Sequence, residues 1–216
     1  MDHTPAGTDR RPLKSRSSGW ARGIVRLLAR TATTPNQVSL ASVLFASTGA
    51  TALLLASPRP WALLVCAVCV QLRLLCNLFD GMLAVEAGKG TSPVGGVYNE
   101  LPDRVADALF IVSLGYAVST SWLGWAGALL AVLTAYIRAL GASLGAPQDF
   151  RGPMAKPHRM ATLTIACVLG AVESFVRHTH YALLAAAWVI MLGSLLTCIT
   201  RTRALARALR AKAANA

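Results

Sequence analysis

Five of the nine acidic residues, Asp80, Glu86, Glu100, Asp103 and Asp107, fall between positions 80 and 107, in or beside long apolar runs. Charge held at membrane depth costs several kcal/mol on most scales, so acids placed there mark a function by default. Asn77, Asp80 and Ala84 are spaced three and four apart, as are Glu100, Asp103 and Asp107, which puts each set on one helical face. Two antiparallel helices with these faces opposed gather four carboxylates and an amide oxygen in one pocket. Such a set is mutually repulsive unless cations neutralise it, and hard oxygen donors at this density suit Mg2+, Mn2+ or Ca2+ rather than zinc. The plainer reading has Asp103 and Asp107 complementing a helix macrodipole and Arg104 pairing with Glu100. It accounts for single acids but not for the set on both sides of one Gly-rich turn.

A second polar set follows: Arg138 inside an apolar run, then Arg151, Lys156, His158 and Arg159. Arginine forks and lysine point charges at one depth bind phosphate. Arg138, Lys156 and Arg159 are the candidates for holding a phosphate or a phosphate-bearing ligand. Arg151 reads as a positive charge that sets topology, and His158 as an interfacial polar residue. Arg73, one turn before Asn77, is within reach of the acids. Glu173, His178 and His180 lie towards the opposite side and read as structural.

The elements that must position these residues are helices in a bilayer. Apolar residues make up 55% of the chain and charged residues 14%, where a soluble domain carries about a quarter charged. The net charge of +12 sits mostly between and beyond the apolar runs, which argues for bilayer insertion and against nucleic acid. The predicted fold is all-α, an integral membrane bundle of six transmembrane helices at roughly 37–57, 61–86, 100–119, 122–144, 158–176 and 181–201. Each is near the ~20 residues that cross ~30 Å of hydrocarbon. An interfacial amphipathic helix over 18–33 precedes them, carrying Trp20, Ile24, Leu27 and Leu28 on one face, although packing on the protein would give the same pattern. Residues 1–19 are polar and expected to be disordered, 20–205 form the membrane domain, and 206–216 are a basic tail continuing the sixth helix along anionic headgroups. No signal peptide is visible at the basic start. Positive charge places both termini and the acidic cluster on the cytoplasmic side, in the inner membrane if the cell is bacterial. Cys66, Cys69, Cys76, Cys167 and Cys198 all lie in apolar stretches and read as small buried residues.

At the acids the chain resembles a known family. Asp80-Gly81-Met82-Leu83-Ala84, then a Gly-containing connector and Asp103-x3-Asp107, is similar to the signature of CDP-alcohol phosphatidyltransferases: Asp-x2-Asp-Gly-x2-Ala-Arg, a spacer, then Gly-x3-Asp-x3-Asp. Thr34-Pro35-Asn36-Gln37-Val38 resembles the segment before that family's first span, so the likeness covers roughly residues 20 to 205. The resemblance implies two divalent ions, Mg2+ or Mn2+, that hold the diphosphate of a CDP-linked lipid. Asp80 and Asp103 take the places of metal ligands, and Asp107 is implied as the general base on the acceptor hydroxyl as well as a metal neighbour. Gly81 and Ala84, beside Asp80, match positions that stay small so that the CDP moiety can lie against the helix. The chain departs from the signature at three points. Asn77 stands where the first Asp is expected, Val85 replaces the Arg, and Gly96-x3 leads to Glu100, with Asp103 three residues further on. Glu100 is a candidate replacement ligand for the charge missing at Asn77.

The implied reaction moves a phosphatidyl, or phospho-alcohol, group from a CDP-activated lipid to a small hydroxyl acceptor, itself a candidate to carry phosphate, with release of CMP. The family resemblance also implies a homodimer among membrane lipids. Within the fold the rival is a CDP-linked small alcohol donating to a lipid. Outside it stand a cation-coupled transporter, which the clustering of acids at one end disfavours, and an inactive scaffold, which Asn77 and Val85 keep open.

Overall fold

The computed structural model describes residues 19–57, 59–86, 94–177 and 179–214. The expected disorder over the first 18 residues, the connector with Lys89, and His178 lie outside these described residues. Seven helices and no strands are found among them: α1 (Gly19–Ala29), α2 (Pro35–Leu54), α3 (Trp61–Glu86), α4 (Gly95–Ala117), α5 (Ser121–Ser143), α6 (Lys156–Arg177) and α7 (Tyr181–Ala214). Five of them, α2, α3, α5, α6 and α7, are long and apolar enough to cross a membrane. The fold is therefore a helical multi-pass membrane bundle. Helix α4 differs because Glu100, Asp103, Arg104 and Asp107 interrupt its apolar character.

The helix ends follow from local chemistry. Thr34 caps α2 with a capping box: its hydroxyl accepts from the Gln37 N–H while the Gln37 side chain accepts from the Thr34 N–H, and Pro35 opens the helix. Glu173 on α6 caps α7, accepting from the main-chain N–H groups of Tyr181 and Ala182 at 2.9 Å and from the Thr179 hydroxyl. Two main-chain donors left open at the start of α7 are thereby met, which gives Glu173 a structural role. Helix α7 runs unbroken for 34 residues through the basic tail, about 51 Å at 1.5 Å per residue.

Around the bundle the contacts close a ring: α3 against α2, α2 against α4, α4 against α5, α5 against α7, α7 against α6, and α6 back on α3. Phe110, Leu53, Leu63, Leu114, Leu123, Met160, Leu163, Leu183 and Ile190 fill its middle. Small residues let the helices approach. A Cβ on Gly49 would fall 2.6 Å from the Phe110 ring, and one on Gly115 would fall 2.6 Å from the Cα of Gly124 across the α4/α5 turn. That turn places Ser119 at φ +54°, a left-handed conformation held between two closely packed helices. Large apolar side chains such as Leu44, Leu64, Val68, Leu129, Val172 and Leu196 face outward, as expected where the surroundings are lipid tails rather than water. The cysteines are free; Cys66, Cys69, Cys167 and Cys198 are buried and Cys76 half-buried.

Helix α1 docks on the end of α3 that carries the acids. Ala21 and Val25 pack with Leu78, Met82 and Leu83 of α3 and Val38 of α2, and the Trp20 ring meets Phe79 edge-on at 6.2 Å. Trp20, Ile24 and Leu27 remain exposed, so α1 has one stripe on the protein and a second apolar stripe facing away.

Candidate active site

Helix α3 brings Arg73, Asn77 and Asp80 to one face by their spacing of four and three, and α4 brings Asp103 and Asp107 opposite. Pro102 lies within α4 just before Asp103; lacking an N–H, it leaves the helix without one internal bond at this point. Lys156 and Arg159 come from the first turn of α6, and Ser39 from α2. Each acid is met differently. Asp107, 1% exposed, accepts from Arg73 Nη2 on Oδ1 and from Arg159 Nη2 on Oδ2, both at 2.8 Å. Asp103 Oδ1 accepts from Asn77 Nδ2 at 2.6 Å and Arg73 Nη2 at 3.3 Å, while Oδ2 takes the Lys156 ammonium and lies 3.5 Å from Arg104. Asp80 Oδ2 accepts from the Ser39 hydroxyl at 2.5 Å. Its Oδ1 is buried with no partner among the described residues, as are Nε and Nη1 of Arg73 and Nε of Arg159.

Burying ions requires that charge be matched. Asp80, Asp103 and Asp107 stand against Arg73, Lys156 and Arg159, three against three, and Arg104 beside Asp103 is itself matched by Glu100. A hard divalent cation needs oxygens free to face it. Asp80 Oδ1 is such an oxygen, and the Asn77 amide carbonyl is a neutral donor one turn away. Asp107 presents its two oxygens to guanidiniums. Among the described residues no three His, Cys, Asp or Glu side chains are gathered tightly enough to hold an ion without rearrangement. The donor set thus fits one cation at Asp80 more readily than a pair.

Glu100 is drawn elsewhere. Its Oε1 accepts from Arg138 Nη2 at 2.6 Å and its Oε2 lies 3.3 Å from Arg104, with the side chain about half exposed. The structure therefore parcels Arg138, Lys156 and Arg159 among three acids, Glu100, Asp103 and Asp107 respectively, and does not gather them as one phosphate cradle. Gly81 and Ala84 are half-buried on α3, following Asp80. His158 bonds the Pro153 carbonyl through Nδ1.

A cavity of about 470 Å³ lies between the end of α5, the loop after it, and α7. Three arginines line it: Arg138, Arg151 and Arg201. Arg138 also reaches Gln148 at 2.9 Å and lies over the Phe150 ring at 5.3 Å, a cation–π contact. Arg201, 5% exposed, donates to the carbonyls of Arg151 at 2.8 Å and Thr134 at 2.7 Å; no carboxylate among the described residues pairs with it directly. Arg151 grips Asp149 at 2.9 Å. Burial alone would raise the Asp149 carboxyl, but the hydrogen bonds and charge of Arg151 outweigh it and hold Asp149 below its ordinary range. The loop is pinned to α7 where Thr197 Oγ1 accepts from Met154 N and where Gly152, at φ +122°, leaves no room for a Cβ beside Thr197.

Sequence reasoning missed Arg201, which is hidden among Arg203, Arg207 and Arg210 of the basic tail. Its distinguishing signal is phase: Ser194, Thr197, Cys198 and Arg201 are buried at spacings of three and four on the packed face of α7. Ser39 was missed as one of several small hydroxyls in α2.

No protein-family model matches the chain. Sequence comparison finds it 30% identical over 168 residues to the archaetidylinositol phosphate synthase of Aeropyrum pernix, covering 78% of this chain and 82% of that one. In fold it is similar to the Mycobacterium tuberculosis phosphatidylinositol phosphate synthase in a crystal structure with CDP-DAG bound, with a TM-score of 0.70 and 22% identity over 87% of this chain and 94% of that one. The same mycobacterial enzyme in complex with manganese and citrate gives a TM-score of 0.69 at 22% identity, over 86% and 88%. The Asp80 and Asp103-x3-Asp107 spacing, carried on two packed helices, and the extent of the archaeal match agree: the chain belongs to the CDP-alcohol phosphatidyltransferase family.

Proposed function

We infer that this phosphotransferase moves the phosphatidyl-type group of a CDP-linked lipid to a hydroxyl of a phosphorylated polyol, of which inositol phosphate is the leading candidate, and releases CMP. The observation that carries this reading is the α3/α4 pairing of Asp80, Asp103 and Asp107, with a separate arginine-lined cavity bounded in part by Arg138, which bonds Glu100 on α4. The donor class follows from the family and from the CDP-DAG bound by the mycobacterial neighbour. The acceptor class follows from the names of the relatives together with the cavity, whose lining has three arginines and one acid, Asp149. A phosphate monoester supplies the missing negative charge, and planar guanidiniums hold it by paired hydrogen bonds.

Divalent cation chemistry is supported by the manganese in the second neighbour. A divalent ion held at Asp80 would supply neutralisation of the negative charge on the phosphate oxygens during an in-line displacement. The protein's own part begins with Gly81 and Ala84, which keep that stretch of α3 low for the nucleotide, and with Asp80, Asp103 and Asn77, which face the diphosphate region. The acceptor oxygen forms its bond to the phosphorus bearing the lipid as the bond to the CMP phosphate oxygen breaks, and CMP leaves with the electron pair. Asp107 takes the acceptor proton. Because both of its oxygens are held by guanidiniums, it serves as base once Arg73 or Arg159 shifts a hydrogen bond towards the substrate's diphosphate.

Helix α4, 23 residues or about 34 Å long, is the sixth span in this reading, its acids lying at the end where the substrates meet. The excess of Arg and Lys at the amino-terminal segment, at the start of α6 (Lys156 and Arg159) and at the end of α7 supports cytoplasmic termini and a cytoplasmic site. The exposed Trp20, Ile24 and Leu27 stripe of α1 suits the headgroup interface, and a homodimer is the expected assembly.

The test is release of labelled CMP from a CDP-linked lipid by the detergent-solubilised chain, with Mg2+ or Mn2+ and inositol phosphate as acceptor. CMP release that depends on both the ion and the acceptor is expected. Release that ignores the acceptor phosphate, with inositol serving equally well, would remove the cavity's assigned role.

A further inference from the structure

The reacting centre sets Asp80, Asp103 and Asp107 against Arg73, Lys156 and Arg159, with Arg104 shared between Asp103 and Glu100 and a neutral amide at Asn77. The diphosphate of a CDP-linked lipid, with one ionised oxygen on each phosphate, brings two negative charges. One divalent ion balances them; a second would leave two positive charges uncompensated in a buried place, which is unfavourable. The oxygens agree with the charge. Asp80 is 4% exposed, and its Oδ1 is the one buried carboxylate oxygen without a protein partner among the described residues. It lies within electrostatic reach of Asp103 and Lys156. Asp103 has already given Oδ1 to Asn77 and Arg73, and Oδ2 to the Lys156 ammonium, which is anchored at the first residue of α6.

We propose that this chain holds a single divalent cation, at Asp80, and that the Lys156 ammonium on Asp103 supplies the positive charge that a second ion would otherwise bring. The neutral Asn77 is part of the same exchange: with Lys156 present, a carboxylate at position 77 is not needed for balance. The inference rests on reading the cluster as the reacting centre, but it concerns a number of ions, which is measured without turnover.

The full-length chain in detergent, with a saturating CDP-linked lipid and no acceptor, is titrated with Mn2+, and free ion is counted by electron paramagnetic resonance. One Mn2+ per chain is expected. Asp80→Asn is expected to weaken it at least 100-fold, and Asn77→Asp with Lys156→Met to raise the count to two, each variant checked for an unchanged elution profile. A count of two or none on the unaltered chain overturns the proposal, as does full binding by Asp80→Asn or a folded double variant that stays at one. Should the double variant not fold, the count on the unaltered chain decides alone. CMP release is read on the same samples. Two ions with CMP release sink only this inference, whereas one ion without CMP release sinks the transferase reading and leaves the count standing.

Discussion

The two polar regions of this protein are built on opposite terms. In the α3/α4 cluster Asp103 and Asp107 are gripped by bases and the three acids are matched by three bases, with Arg73 and Asp107 almost wholly enclosed. In the α5/α7 cavity Arg138 is paired with Glu100 and Arg151 with Asp149, while Arg201 is held by carbonyl oxygens rather than by an anion. The first region is electrically complete and stands as part of the fold. The second keeps one arginine, Arg201, without a carboxylate among the described residues, which suits the acceptor phosphate proposed above. Substitutions in the first should therefore mix stability with catalysis, and those in the second should report on a ligand.

Asp107→Asn should break this contrast most. The amide can accept from Arg73 or from Arg159, but it turns its own N–H donors on the other. Breaking a buried pair in this way costs ~3–5 kcal/mol, and losing the base costs at least ~10²-fold in rate. Thermal unfolding in detergent and CMP release should both fall. An unfolding temperature equal to that of the parent would deny Asp107 its place in the scaffold. Asp80→Asn sharpens the point within the same cluster, because its partner is a neutral hydroxyl that can reorient. Turnover should vanish while stability shifts by less than ~1 kcal/mol.

The cavity predicts a selective effect. Loss of one charge-assisted contact is worth ~1.5–3 kcal/mol, or roughly 10- to 150-fold. Arg201→Ala should raise the acceptor KM by about that factor and leave the CDP-lipid KM within about twofold. Equal shifts for both substrates would assign Arg201 to the donor instead. Gly152→Ala should act on the loop alone, costing ~1–3 kcal/mol through its φ of +122° and the clash with Thr197. The smallest effect concerns pH. The Asp149 carboxyl is depressed in the folded protein, so its contribution is complete above the unfolded value of ~3.9 and disappears only as pH falls through the lower folded value. Hydrogen exchange of residues 149–152 should be unchanged in protection between pH 8 and 5.

Much of the bundle was legible because apolar runs near the ~20 residues that cross a bilayer mark where spans must lie. The acids on α3 and α4 were legible for the same reason, since one helical face is fixed by spacing alone. Pairing was not. Arg138, Lys156 and Arg159 sit in or near one stretch of sequence, yet the rotation of α5 and α6 sends them to Glu100, Asp103 and Asp107. Which base meets which acid depends on those rotations, and the sequence pattern constrains them only to within a turn. Arg201 shows the same limit, since it belongs to the basic tail by composition and to the cavity by its phase on α7.

The contact between Gly115 and Gly124 lies eight residues beyond Asp107 along α4, about 12 Å from it. Two backbones touching there leave α4 no freedom to slide past α5, so the contact works as a datum from which the acids are measured off along a stiff rod. A single methyl at either glycine would push that datum by an ångström or more, and the rod would carry the error to its far end. Alanine at position 115 is then a lesion of alignment, one that leaves all the reactive groups chemically intact and moves them out of step with α3.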